Sequence, residues 1–293
     1  MKSTKSNLAA LDRLCGALDL ARRPGKLSAS RFDETHELFE RSSSQQQLIL
    51  DWLTELILEQ YASIDPLKIL SVGCGSGILD NPLIRSIATS SRRIEYTGLD
   101  PNAVACRRFK ESFDDREFPN VRLDLREQVV ESIASGGRFH IIHVVHSLYY
   151  FDDPAKTLDV LLKLLAPGGR IVVVQAPEAE LNQLANCFWK HHENDDIWFS
   201  DRLDGHLSRH RLPFSRRRID GDVDVARCFV ADCPRGAMML DFITQSDCRQ
   251  LDDDIIRECL GYLRSISRRD NGSLLVAHPA DAFVIDPGDL GHA

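Results

Sequence analysis

Between Lys68 and Ala176, short apolar runs alternate with amphipathic stretches, and this rhythm restricts the fold more than any other feature of the chain. The runs at 68–72, 94–99, 121–125, 139–146 and 170–176 read as strands. Apolar residues at helical spacing predict helices over 78–90, 102–115 and 154–166. The third starts with Asp153 as N-cap and Pro154 at the first helical position, where the missing N–H is not needed. Ala-Pro-Gly-Gly at 166–169 ends it and turns the chain into the next strand. Strands separated by helices build a parallel sheet covered on both faces. The expected fold class is α/β, doubly wound on a mostly parallel sheet.

Outside this core the pattern loosens. Leu8, Leu11, Leu14 and Leu18 fall on one face of a short helix that Arg-Arg-Pro-Gly at 22–25 ends, and residues 1–30 are expected to be a loosely ordered segment. Polar residues 42–47 lead into a stronger helix carrying Leu48, Ile49, Trp52, Leu53, Leu56 and Ile57. Further helices are expected at 178–191, 236–246 and 252–267, and a late strand at 282–285. This divides the chain into 1–30, a helical part at 31–62, a core at 63–177, and 178–293, which adds late strands and an elaboration.

No apolar run approaches the roughly 20 residues that cross a bilayer. Asp12 and Asp19 interrupt what would be a secretory segment. A net charge of −8 argues against general nucleic-acid binding. The cysteines at 15, 74, 106, 187, 228, 233, 248 and 259 include no CxxC pair, so reduced, buried thiols and a cytoplasmic location are expected. The expected partner is a small molecule, with no nucleic acid, membrane or metal, and with a monomer favoured.

The first strand runs into Gly73-Cys-Gly75-Ser-Gly77. A phosphate-cradling loop would place a lysine after its glycines, and none follows here. The dinucleotide fingerprint would place its third glycine where Ile78 stands. The tighter spacing lets the backbone lie flat against a nucleoside or amino-acid portion. The second strand ends in Asp100-Pro101, and a carboxylate at that tip can take both hydroxyls of a ribose. Together these resemble the two anchor points of S-adenosylmethionine in a class I methyltransferase, with its seven-stranded Rossmann-like sheet. Ser71 stands where many members carry an acidic residue.

FDETHELFERSSSQQQLILDWL, KILSVGCGSGILD, FHIIHVVHSLYYFDDPAKTL and RCFVADCPRGAMMLDFIT resemble the histamine N-methyltransferase family in order and spacing, from Phe32 to Asp286. That resemblance implies a cofactor domain and a smaller substrate domain. Gly73, Gly75, Gly77, Asp100, Pro101 and Val145 would contact the cofactor. Phe39, Tyr149, Tyr150, Trp189 and Phe242 would wall the substrate pocket. Three polar positions of the family differ here: its substrate-facing glutamate falls at Gln45, its strand-four glutamine at His146, and its C-terminal asparagine at His278. A neutral glutamine cannot pair with the ammonium of histamine, so the expected acceptor is a nitrogen of another small amine or imidazole-type compound. An O- or C-methyltransferase on a small natural-product intermediate, or a non-catalytic binder on the same fold, are the alternatives.

His146 is the candidate catalytic residue, either as a base or as a binding contact. His143, on the opposite strand face, reads as a core histidine. His191, His192 and Glu193 read as a solvated helix end rather than a metal site. The basic run at 209–218 reads as a solvated face.

Overall fold

The computed structural model describes residues 2–21, 25–89, 92–133, 138–193 and 197–288. Its first elements are α1 (Lys2–Leu20), α2 (Ala29–Glu40), α3 (Gln45–Gln60), β1 (Leu67–Val72), α4 (Asp80–Ile87), β2 (Ile94–Leu99), α5 (Ala103–Ser112) and β3 (Val121–Arg126). Then come β4 (Phe139–Val145), α6 (Pro154–Lys163), β5 (Leu165–Gln175), α7 (Glu180–Glu193) and α8 (Ser200–Arg209). The chain closes with β6 (Phe214–Ile219), β7 (Asp222–Asp224), α9 (Pro234–Thr244), α10 (Asp253–Ile266), β8 (Arg268–Asp270), β9 (Ser273–Ala277) and β10 (Ala280–Ile285). They form two compact units: residues 1–46, 176–197 and 219–280, and residues 47–175, 198–218 and 281–293.

The second unit is the sheet unit. Seven strands lie in the order β3-β2-β1-β4-β5-β10-β6, and the pairs from β3 to β5 are parallel. β10 lies antiparallel to β5, with Phe283 opposite Val173. Leu67, Ile69, Leu70 and Val72 of β1 are all buried, as expected of a strand covered on both faces. Leu70, Ile142, Val144, Leu158, Leu161, Val173, Leu203 and Phe283 join one core, where a fully buried Leu, Ile or Val contributes about 1.5–3 kcal/mol. The sheet order reverses at β1, which has β2 on one side and β4 on the other. In such sheets the ligand crevice opens at the carboxyl ends of the strands where the order reverses. Asp153 caps α6 by accepting from the Lys156 amide, and Asn102 caps α5 through the amides of Val104 and Ala105.

The first unit packs α1, α2, α7, α9 and α10 with the three-stranded antiparallel sheet β7-β9-β8. Arg31 donates through Nε and Nη2 to the Asp241 carboxylate, at 2.9 and 2.6 Å, and the Cys248 amide donates to the other oxygen of that buried side chain. This pair ties α2 to α9.

Several expectations are corrected. Residues 1–30, expected to be loosely ordered, contain α1, whose Leu14 and Leu18 are fully buried beside Tyr262 and Leu263 of α10. Cys15 and Cys187, expected as thiols, form a disulfide across 172 residues; the other six cysteines are free. The helix before Ala166 ends at Lys163, and Ala-Pro-Gly-Gly lies within β5. The basic run at 209–218 is a solvated face as expected, with 215–218 exposed, but it also enters the edge strand β6, where Arg216 donates to Asp281 and Asp204 at 2.7 and 2.9 Å. Helix α8 and strands β7, β8 and β9 were not anticipated. By compact units the first break falls between 46 and 47 rather than at 62, and 178–293 alternates between the two units.

Candidate functional site

In the sheet unit, the turn after β1 is set by backbone amides: those of Gly73 and Cys74 both donate to the Leu99 carbonyl, at 2.8 and 3.0 Å. The Gly75 amide donates to Asp100 Oδ2 at 2.9 Å, and the Asn102 amide to Oδ1 at 2.8 Å. Two amides therefore help to fix the carboxylate at the strand tip. Pro101 is exposed next to it.

The three glycines answer different demands, although all have positive φ. A Cβ on Gly73 would stand 2.5 Å from Ser147 Cβ, and one on Gly77 2.3 Å from Phe109 Cδ2. A Cβ on Gly75 would meet nothing within 4 Å, so the middle of the turn presents bare backbone to open space. That is the cradle a flat ligand needs.

Beneath this turn, Asp80 at the start of α4 accepts from the Tyr96 hydroxyl at 2.6 Å, and the same hydroxyl lies 2.8 Å from His143 Nε2. All three side chains are buried. Burial lowers the His143 pKa, against the opposing charge of Asp80, and raises that of Tyr96 well above its ordinary value. His143 is the core histidine that strand alternation predicts.

At the end of β4, half-buried Val145 pairs with Val174, and the His146 amide donates to the Val174 carbonyl at 2.9 Å. His146 has φ 50, a left-handed conformation that a non-glycine residue adopts at a cost of about 1–3 kcal/mol and that clusters at functional sites. Its Nδ1 lies 2.5 Å from Tyr149 Oη. Tyr149 meets the exposed Tyr150 edge-on, ring centres 5.4 Å apart. Ser147 ties the ends of β4 and β1 together by donating to the Val72 carbonyl at 2.8 Å.

The other unit brings together Phe39, Phe242 and His278. Phe39 lies 4.6 Å from Phe242 and 5.0 Å from His278, edge-on to the latter. His278 Nδ1 is 2.8 Å from Ser43 Oγ, and burial pushes its pKa down to about 4. Gln45 is fully buried and donates through Nε2 to the His278 carbonyl at 2.7 Å. Trp189 is half-buried on α7. Sequence reasoning missed Phe32 and His36, which lie 5.7 and 5.3 Å from Phe242. It also missed Glu40. The helical spacing of positions 32, 36, 39 and 40 would have grouped them.

Comparison with known proteins places this geometry. The family described as a methyltransferase domain matches residues 35–219. A ubiquinone biosynthesis O-methyltransferase of Psychrobacter cryohalolentis is 32% identical over 140 residues, 43% of this chain and 51% of that protein, so the match spans about half the relative's length. Histamine N-methyltransferase A of Xenopus laevis is 24% identical over 74% of this chain and 80% of its own length. The plantazolicin methyltransferase BpumL, solved with a triazolic desmethylPZN analog and SAH, covers 97% of this chain and 98% of its own at a TM-score of 0.51 and 13% identity.

Proposed function

The chain belongs to the methyltransferase-domain family, and from that premise we propose that it methylates a nitrogen of a small amine or imidazole-type compound other than histamine itself. It is an S-adenosylmethionine-dependent methyltransferase of the class I fold. The residues present fit that cofactor: Gly75 leaves bare backbone beside open space, and two amides orient the Asp100 carboxylate at the tip of β2, where a ribose diol would be held. Gly73, Gly75, Gly77, Asp100, Pro101 and Val145 are assigned to hold it. When bound, the cofactor supplies an electrophilic methyl group on a sulfonium.

Similarity to histamine N-methyltransferase A over 74% of the chain is what favours nitrogen, and His146, held in a left-handed conformation at the crevice end of β4 with Nδ1 against Tyr149, is the candidate base. A nitrogen nucleophile must present a lone pair and shed a proton. With Nδ1–H donating to Tyr149 Oη, His146 is assigned as the base that takes that proton. The opposite tautomer makes Nε2 a donor and His146 a binding contact. In the sheet unit, Tyr149 and Tyr150 are assigned as aromatic walls for the acceptor; in the other unit, Phe39, Trp189, Phe242 and His278 are assigned, separately, as substrate contacts. Gln45 is assigned to the same region through its hold on His278.

The test uses S-adenosylmethionine labelled in its methyl group. The enzyme is offered aromatic and imidazole amines alongside phenols and carboxylates of the same skeleton, and products are read by mass. Labelled methyl on amines alone supports the proposal; labelled phenols, or none of these compounds labelled, reject it.

A further inference from the structure

A cavity between α1 and α7 lies wholly within the first unit, and none of the residues assigned above to cofactor or acceptor lines it. Its volume is about 530 Å³, within the roughly 300–1,000 Å³ of small-molecule sites. Cys15 and Cys187, joined in the disulfide, both line it. The two cysteines are not equally placed. Cys15 is half-buried, whereas Cys187 is only 8% exposed. In thiol–disulfide exchange a thiolate strikes the sulfur it can reach, and the other sulfur leaves. Access through the cavity therefore singles out Cys15 as the sulfur attacked and Cys187 as the one released.

The packing of α1 does not rest on the bridge alone. Leu14 and Leu18 are buried in one core with Tyr262 and Leu263 of α10. Asn7 Nδ2 donates to Glu180 Oε1 at 3.4 Å, and His191 Nε2 stands 3.5 Å from Asp19 Oδ1. These contacts do not involve sulfur, so they remain when the bond opens and keep the released thiol beside its former partner. The rim of the cavity selects the thiol. Asp19 and Glu178 bring negative charge to it and Lys190 brings an ammonium, and all three residues are exposed to an entering molecule. A thiol that carries both an ammonium and a carboxylate finds a group of opposite sign for each. An uncharged thiol finds neither.

We propose that Cys15 is a site of reversible S-thiolation, at which a short zwitterionic peptide thiol enters the α1–α7 cavity and exchanges with the disulfide. The incoming thiolate forms a sulfur–sulfur bond to Cys15 Sγ. The Cys15–Cys187 bond breaks, and its electron pair leaves on Cys187 Sγ. The proton lost by the incoming thiol is matched by one that Cys187 takes from water. One disulfide is consumed and one is made, so the peptide thiol is the sole co-reactant. Cys187, kept close by the packing of α1 on α7, reverses the step by attacking the mixed disulfide. Of the six other cysteines, five are buried, where a thiol reacts slowly.

The experiment uses the full chain purified without reductant, its free thiols blocked with N-ethylmaleimide, and two probes, glutathione and 2-mercaptoethanol. Iodoacetamide stops the reaction and marks the released cysteine; products are read by intact mass and peptide mapping. Each rate is divided by that thiol's rate with bis(2-hydroxyethyl) disulfide, which removes intrinsic reactivity. The expected product carries one glutathione on Cys15 and one carbamidomethyl group on Cys187. Glutathione should be faster by about threefold or more at low salt, the modest margin that exposed charges allow, and about 1 M salt should erase that margin. Lys190→Gln should slow glutathione and leave 2-mercaptoethanol unchanged. A starting protein without the bridge, a bridge that opens only in denaturant, or an adduct on Cys187 overturns the proposal for Cys15. Equal rates for the two probes at low salt overturn the zwitterionic class, whether or not Lys190→Gln folds.

Discussion

Replacing Gly77 and Gly75 by alanine, one at a time, should separate packing from ligand approach within a single turn. Both residues have positive φ, 76° and 53°, so alanine brings a left-handed penalty of about 1–2 kcal/mol at each. Their surroundings differ. On Gly77 the new methyl would stand 2.3 and 2.5 Å from Cδ2 and Cγ of Phe109, against about 3.5–4.0 Å for a carbon contact. Phe109 is fully buried, so it cannot swing into solvent, and overpacking adds about 1–3 kcal/mol. Gly77→Ala should therefore lose about 2–5 kcal/mol of stability, and Gly75→Ala only the conformational share, because nothing lies within 4 Å of its added Cβ. That open space is where the cofactor is proposed to lie, so Gly75→Ala should lose S-adenosylmethionine affinity out of proportion to its stability. Urea unfolding gives the first quantity and calorimetry the second. Wild-type affinity in Gly75→Ala, or a stability loss as large as that of Gly77→Ala, would refute the division of labour.

Asp100→Ala should weaken S-adenosylmethionine binding by about 1–3 kcal/mol, roughly 5- to 150-fold, since a charged acceptor is lost; an unchanged calorimetric affinity contradicts the ribose role. His146→Ala should lose turnover that recovers partly at high pH if the residue is the base, whereas a uniform loss across the pH–rate profile assigns it as a contact. Asp241→Ala leaves Arg31 and the Cys248 amide without their buried partner and should cost about 3 kcal/mol or more; unfolding indistinguishable from wild type would show the pair to be idle. The pH dependence has opposed parts, each set by burial, and His36, lowered to about 4, acts in the same direction as His278. His278, lowered from 6.5 to about 4, binds more protons when unfolded, so stability falls by up to about 3 kcal/mol as pH drops from 6.5 to 4. Glu40, raised from 4.5 to about 7, binds more protons when folded, so its contribution is lost as pH rises through that window. Glu40→Gln should steepen the gain in stability between pH 4.5 and 7 compared with wild type, and a parallel pair of curves would contradict the shift.

The sheet core was legible because a parallel strand buried on both faces reads as a largely apolar run, as at 171–174 of β5. A cap did the same for the helix start at Asp153, where the side chain answers an orphan amide. Strand β6 was hidden because its charged residues are satisfied at long range: Arg216 reaches Asp204 and Asp281, which no local pattern reveals. The Cys15–Cys187 disulfide escaped for a similar reason, since its partners are adjacent only once α1 and α7 pack. In the candidate site, the glycine turn and Asp100 were readable because backbone geometry demands those residue types. The environment of Gln45 was not, because an amide that clamps the His278 carbonyl looks in sequence like one that faces a ligand. His36 and Glu40 were missed because FDETHELFE has the composition of a solvated helix, and only packing against Phe242 turns one face of it inward.

The most direct test of the account is where the methyl group arrives. The enzyme should be run with S-adenosylmethionine carrying a carbon-13 methyl and with a nitrogen-15-labelled amine acceptor from the screen, and the product examined by NMR. A one-bond coupling between the transferred carbon and an acceptor nitrogen is the predicted result. A methyl carbon attached to oxygen or to carbon of the acceptor would contradict it.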